Sequence, residues 1–126
     1  MGSSVEKGDW VIARGTCLHP YQLAMLASLG ISEVLVYRAP STTLIITGNE
    51  LVKPGESLAF GQVYESNSIG LVSALNASGV KNVSILYVKD NLADTATTIR
   101  NALNESDLVL LTGGVSVGDY DYVAKA

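Results

Sequence analysis

The chain has 126 residues, of which 48% are apolar and 16% charged, and a net charge of −4. That balance suits one packed domain and excludes a disordered chain, and the acidic excess leaves no basic stripe for nucleic acid. A single cysteine, Cys17, excludes an intrachain disulfide and a cysteine metal cluster, so a reducing, cytoplasmic setting is the default expectation.

No apolar run approaches the roughly 18–20 residues of a membrane span, and no secretory signal is visible. Residues 1–41 read as a connector of strand, helix and strand. Residues 10–13 predict a short strand closed by Gly15. Pro20 suits the first position of a helix, where its missing N–H costs nothing. Gln22 is placed to reach back to the cap, and Leu18 to staple onto Leu23. Gly30 ends that helix. Residues 33–37 predict a strand and residues 38–41 a break.

A regular pattern then runs through residues 42–126. Residues 43–47 suit a buried parallel strand. Residues 66–78 predict a helix with Ile69, Val72 and Leu75 on one face, stopped by Gly79. Residues 82–88 predict a second strand. Residues 92–105 predict a helix with Leu92, Ala96, Ile99 and Leu103 in one stripe. Residues 107–111 predict a third strand, and residues 119–126 the start of another helix. Strands alternating with helices imply right-handed crossovers and a parallel sheet with helices on both faces.

Two connections stand out. The link of residues 48–65 is far longer than the roughly 2–6 residues usual in α/β units. Residues 113–118, Gly-Gly-Val-Ser-Val-Gly, are rich in glycine. Both follow the carboxyl ends of parallel strands, where ligands sit in open α/β sheets. Converging backbone N–H groups and a following helix N-terminus suit an anion. No Lys-Ser/Thr pair follows the glycines, which disfavours an ATPase.

Glu50, Asp90 and Asp121 each follow the end of a different strand. Three carboxylates converging on one sheet edge would hold a hard cation such as Mg²⁺ through oxygen ligands. Each also has a plainer role: Glu50 as a solvated loop residue, Asp90 or Asn91 as a helix cap, and Asp119 and Asp121 as helix-dipole partners. His19, the only histidine, reads as a cap or surface residue, so no histidine triad is expected. Cys17 reads as a packed small residue. Ser116 has no visible base, and Tyr64, Tyr120 and Tyr122 read as packing.

Thr47-Gly48-Asn49-Glu50-Leu51-Val52, then Pro54-Gly55, then Gly61-Gln62-Val63-Tyr64-Glu65-Ser66-Asn67 form an ordered set. With Gly113-Gly114-Val115-Ser116-Val117-Gly118 and Asp121-Tyr122, this set resembles the central domain of the MoeA-like molybdopterin molybdenumtransferases. The connector is similar at Gly15-Thr16, Leu26-Ala27-Ser28-Leu29-Gly30 and Tyr37-Arg38, so the resemblance runs from Gly8 onward. Gephyrin's MoeA-like part and the MogA/MoaB adenylyltransferases share the fold, and the segment from Gly61 to Asn67 points to the MoeA branch.

The resemblance implies an α/β fold: a three-layer α/β/α sandwich with a mostly parallel sheet, its central strands ordered 2-1-3-5-4. It implies molybdenum insertion into adenylylated molybdopterin, with molybdate as the other substrate and Mg²⁺ as the cation. Glu50, Asp90 and Asp121 match the family's essential acids and are the implied catalytic and metal-binding residues. Thr47, Gly48, Asn49, Ser66, Asn67, Gly113, Gly114, Ser116 and Gly118 are the implied pterin-binding residues. Two departures stand out. Asn49 replaces the family's usual aspartate, and an amide brings no charge to a cation. The chain also stops at Ala126, after the third core strand, so it resembles a fragment, expected to be inactive alone.

The alternatives are a MogA-like molybdopterin adenylyltransferase and a non-catalytic scaffold module that keeps the fold. The expected partners are a small pterin and molybdate, with no nucleic acid and no membrane. An open edge at the third strand predicts a homo-oligomer, most simply a dimer.

Overall fold

Residues 5–113 are described by the structure, a computed structural model. In chain order the elements are α1 (Pro20–Ser28), β1 (Thr42–Thr47), β2 (Leu51–Val52), β3 (Val63–Tyr64), α2 (Asn67–Ala77), β4 (Val83–Val88), α3 (Leu92–Glu105) and β5 (Leu108–Thr112). The chain divides into two units, Met1–Tyr37 and Arg38–Ala126.

In the first unit, Pro20 stands in the first turn of α1 as its fixed φ predicts. The helix stops at Gly30, whose φ of +77° suits a residue without a Cβ. The N–H groups of Gly30 and Ile31 return to the carbonyls of Ala27 and Leu26 at 3.0 Å each. The expected cap does not form: His19 makes no side-chain cap bond, and the Gln22 Oε1 is buried without a partner among the described residues. The strands expected at residues 10–13 and 33–37 are likewise absent. A strand needs a ladder, and an isolated two-stranded pair is marginal in water. Arg14 instead grips the Tyr37 hydroxyl, donating from Nε at 3.1 Å and Nη2 at 2.9 Å. Its guanidinium carbon lies 5.9 Å from the ring centroid.

The second unit is built on β1. Five of its six residues are β-branched, which suits a pleated backbone, and all six are buried. Two parallel partners flank it in the order β4-β1-β5. Thr42 faces Val83 and Thr47 faces Val88 on one side, while Thr42 faces Leu108 and Ile46 faces Thr112 on the other. The chain crosses from β1 to β4 through α2, then back past β1 to β5 through α3. Right-handed crossovers in opposite directions put the two helices on opposite faces. Burial of β1 along its whole length agrees. The fold is α/β with a parallel sheet, as expected.

Three details differ from the sequence expectation. The link of residues 48–65 carries a small parallel ladder, Leu51 on Val63 and Val52 on Tyr64. The Val63 N–H reaches the Glu50 carbonyl at 3.0 Å, and the Glu65 N–H reaches that of Val52 at 2.8 Å. Pairs this short leave no periodicity to detect. The buried side of α3 runs through Thr95 and Ala102, whereas Leu92 and Leu103 are exposed. Small side chains let the helix lie close to the sheet. In α2 the buried residue is Ser68, and Ile69 is 60% exposed.

At the amino ends of the strands, Asp107 closes a clasp. Arg38 donates to both its oxygens at 2.7 Å, a bidentate pair. Ser41 adds its N–H at 2.8 Å and its hydroxyl at 2.6 Å. In return the Asp107 N–H reaches the Ser41 carbonyl at 3.0 Å, which fixes the entry of β5 beside β1. The Arg38 and Ser41 hydrogen bonds hold the Asp107 carboxyl well below the usual carboxylate range. A lowered folded-state pKa gives stability that is present above about pH 4 and lost as pH falls through the folded value. Asp107→Asn should therefore unfold more easily than the native chain at pH 7, with the gap closing in acid. Urea midpoints at pH 7 and pH 2.5 check this; a gap that stays constant with pH contradicts it.

Candidate functional site

The parallel register brings three strand ends to one edge. Thr47 closes β1 beside Val88 of β4, and Ile46 stands beside Thr112 of β5. The segments that follow therefore start as neighbours: Gly48-Asn49-Glu50, Lys89-Asp90-Asn91 and Gly113.

Asn49 and Asp90 clasp each other. The Asn49 N–H donates to the Asp90 Oδ2 at 3.3 Å, and the Asp90 N–H donates to the Asn49 Oδ1 at 3.3 Å. Asp90 thus binds its neighbouring loop, and capping of α3 falls to Asn91, whose Oδ1 accepts the Asp94 N–H at 2.8 Å. Gly48 has a φ of +149°, and a Cβ there would stand 2.7 Å from the Leu51 Cγ and 3.0 Å from the Glu50 Oε1. Glu50 therefore folds back along the turn while its carbonyl starts the β2–β3 ladder.

On the β5 side, contacts tighten further. Gly113 has a φ of +92°, and a Cβ there would lie 2.1 Å from the Thr47 carbonyl oxygen. The Thr47 hydroxyl is buried and has no partner among the described residues. Asn67 donates from Nδ2 to the Thr112 Oγ1 at 2.8 Å, pinning the start of α2 to the end of β5. Ser66 holds the N-cap position without a side-chain bond. The preceding residue does the capping: buried Glu65 accepts the Ser68 N–H at 2.7 Å and the Ser68 hydroxyl. Such a carboxylate also suits the positive end of the helix dipole.

A cavity of about 540 Å³ opens at this edge, and Gly48, Asn49, Lys53, Glu65, Tyr87 and Lys89 are among its walls. Its two lysines are balanced by Glu56 and Glu65 in the same lining, and the Lys53 Nζ lies 5.8 Å from the Tyr87 ring centroid. A larger apolar cleft of about 980 Å³ lies within the first unit and contains none of the expected site residues.

The strand ends thus gather Thr47, Gly48, Asn49, Glu50, Asn67, Asp90 and Gly113, with Ser66 at the start of α2. Gly114, Ser116, Gly118 and Asp121 lie outside the described residues. Sequence reasoning missed Thr112, Glu65, Lys53 and Lys89. Lys89 and Thr112 had a usable signal, since each sits at the carboxyl end of a parallel strand. Among the described residues no three metal-ligating side chains cluster. Glu50 and Asp90 nonetheless follow adjacent strands and offer the oxygen donors a hard divalent cation takes. No helix among the described residues is long and apolar enough to cross a membrane.

Residues 43–126 match the family model described as a probable molybdopterin binding domain. The chain is 38% identical over 122 residues to a molybdopterin molybdenumtransferase of Haemophilus influenzae, covering 97% of this chain and 30% of the relative. It is 36% identical to the protein of that name from Nostoc, covering 94% of this chain and 27% of the relative. A crystal structure of the molybdopterin biosynthesis MoeA protein from Pyrococcus horikoshii superposes with a TM-score of 0.69 at 33% identity. That superposition covers 87% of this chain and 30% of the other. The chain therefore spans less than a third of the length of these relatives.

Proposed function

Because the chain belongs to the probable molybdopterin-binding domain family, we propose that it is the pterin-binding part of a molybdopterin molybdenumtransferase acting in molybdenum cofactor biosynthesis. On this reading, residues 42–126 are the N-terminal part of the binding domain and residues 1–41 its connector. The observation that carries the proposal is the meeting of three strand ends at one edge, with the Thr47 hydroxyl, unpartnered among the described residues, beside Gly113.

Each group has a task in that reading. The Thr47 hydroxyl and the Gly113 backbone receive the polar end of the pterin, and Ser66 and Asn67 orient it from the start of α2. Gly114, Ser116 and Gly118, outside the described residues, are the further pterin-binding residues of this reading. Glu50, Asp90 and Asp121 would hold Mg²⁺ through carboxylate oxygens. A bound divalent cation lowers the repulsion between molybdate and the pterin's phosphate. On the same reading the chain works in the cytoplasm and pairs with a second copy as a dimer.

Molybdopterin titrated into ¹⁵N-labelled protein should shift the amides of Gly48, Asn49, Asn67 and Gly113. Asn67→Ala should weaken binding about tenfold, the loss of one side-chain hydrogen-bonding group at the start of α2. Shifts confined to residues 10–37 would move the site to the apolar cleft and defeat the reading.

A further inference from the structure

The Asn49–Asp90 pairing has an unusual symmetry. Each residue receives the other's backbone N–H on its own side-chain oxygen, both at 3.3 Å. The two residues lie 41 positions apart in sequence. Together they join the turn leaving β1 to the turn leaving β4. Only one of the two side chains carries charge. Aspartate at position 49 would keep the same oxygen acceptor at the same reach. It would also set a second carboxylate into the ring, where two like charges disfavour each other.

We infer that Asn49 is a positioning residue that latches these two loops without a bound cation. The amide completes the ring while leaving Asp90 as its single charge. Asp90 is then held in place before any ligand arrives, and the site draws a divalent cation less strongly than a two-carboxylate version would. Asn49 is exposed, so its contribution is the polar bond rather than packing. The inference deepens the proposed function, since it rests on that reading for what the latch serves. The latch itself needs only the two bonds.

The test uses the whole chain as native protein, Asn49→Asp and Asn49→Ala, with Mg²⁺ alone as probe. Three readings are taken: calorimetric Mg²⁺ affinity, melting temperature with and without EDTA, and hydrogen exchange at the Asp90 amide. Native protein should gain less in melting temperature from Mg²⁺ than Asn49→Asp does, because the weaker binder is stabilised less. Asn49→Asp should bind Mg²⁺ about tenfold more tightly, because hard cations favour added carboxylate charge. It should also melt lower in EDTA and recover when Mg²⁺ is added. In Asn49→Ala the Asp90 amide should exchange about tenfold faster, with no recovery in Mg²⁺. Equal Mg²⁺ affinity in native protein and Asn49→Asp, or unchanged Asp90 exchange in Asn49→Ala, overturns the latch. If Asn49→Ala does not fold, the Asn49→Asp comparison still decides. Molybdopterin titration of the native chain is scored separately, so loss of pterin binding with the latch intact strikes the proposed function alone.

Discussion

Gly113→Ala should cost about 3 kcal/mol or more, the sum of a left-handed backbone strain and a steric overlap. The overlap is with main chain, because the new methyl would sit 2.1 Å from the Thr47 carbonyl oxygen. Backbone in a central strand cannot step aside as a side-chain tip can. Either the end of β5 moves away from β1 or the turn after it changes path. The Asn67–Thr112 bond lies one residue before that turn and should be lost with it. Chemical denaturation measures the cost, and the Asn67 side-chain amide resonances report the lost contact. Gly113→Ala folding with native stability and an unshifted Asn67 would mean the two strand ends are farther apart than described.

Ile45→Ala should be almost as severe. Ile45 lies in the middle of β1 with no exposed surface, so truncation leaves a cavity between sheet and helix. Such losses run to about 2–5 kcal/mol. For a domain near this size that lowers the melting temperature by roughly 10–20 °C. Leu35→Ala provides the control, since Leu35 is fully exposed and changes of that kind stay within about 0.5 kcal/mol. Equal effects of the two substitutions would deny β1 its place at the centre of the core.

What could be read in advance was local. The core strands were legible to within a residue or two because an apolar run between polar brackets is a signal carried by neighbours. Asn91 as a cap and Gly79 as a stop were legible for the same reason. The faces of the helices were not. Large residues such as Ile69 and Leu103 suggest the inner face by hydropathy, yet Ser68, Thr95 and Ala102 take it because they let helix and sheet approach. The partnerships that shape the site were invisible too. Asn49 with Asp90, Asn67 with Thr112, and Arg38 with Asp107 each join residues more than 40 positions apart. Their meeting depends on strand register, which no single segment encodes. Position and pattern nominated the carboxylates, the long link of residues 48–65 and the glycine-rich segment of residues 113–118, and the family resemblance implied the individual pterin-binding residues.

The middle position of β1 also has a consequence for how the chain is made. Both neighbours of β1 come later in sequence, and β5 begins about 60 residues after β1 ends. On a ribosome adding about 5–20 residues per second, β1 waits roughly 3–12 seconds for its second neighbour. Throughout that wait Thr42–Thr47, a short β-branched run without charge or proline, has an unpaired edge. Parallel pairings over such distances are also slow to close. The strand that anchors the finished domain is thus its most vulnerable segment during synthesis, and the one a chaperone would have most reason to hold.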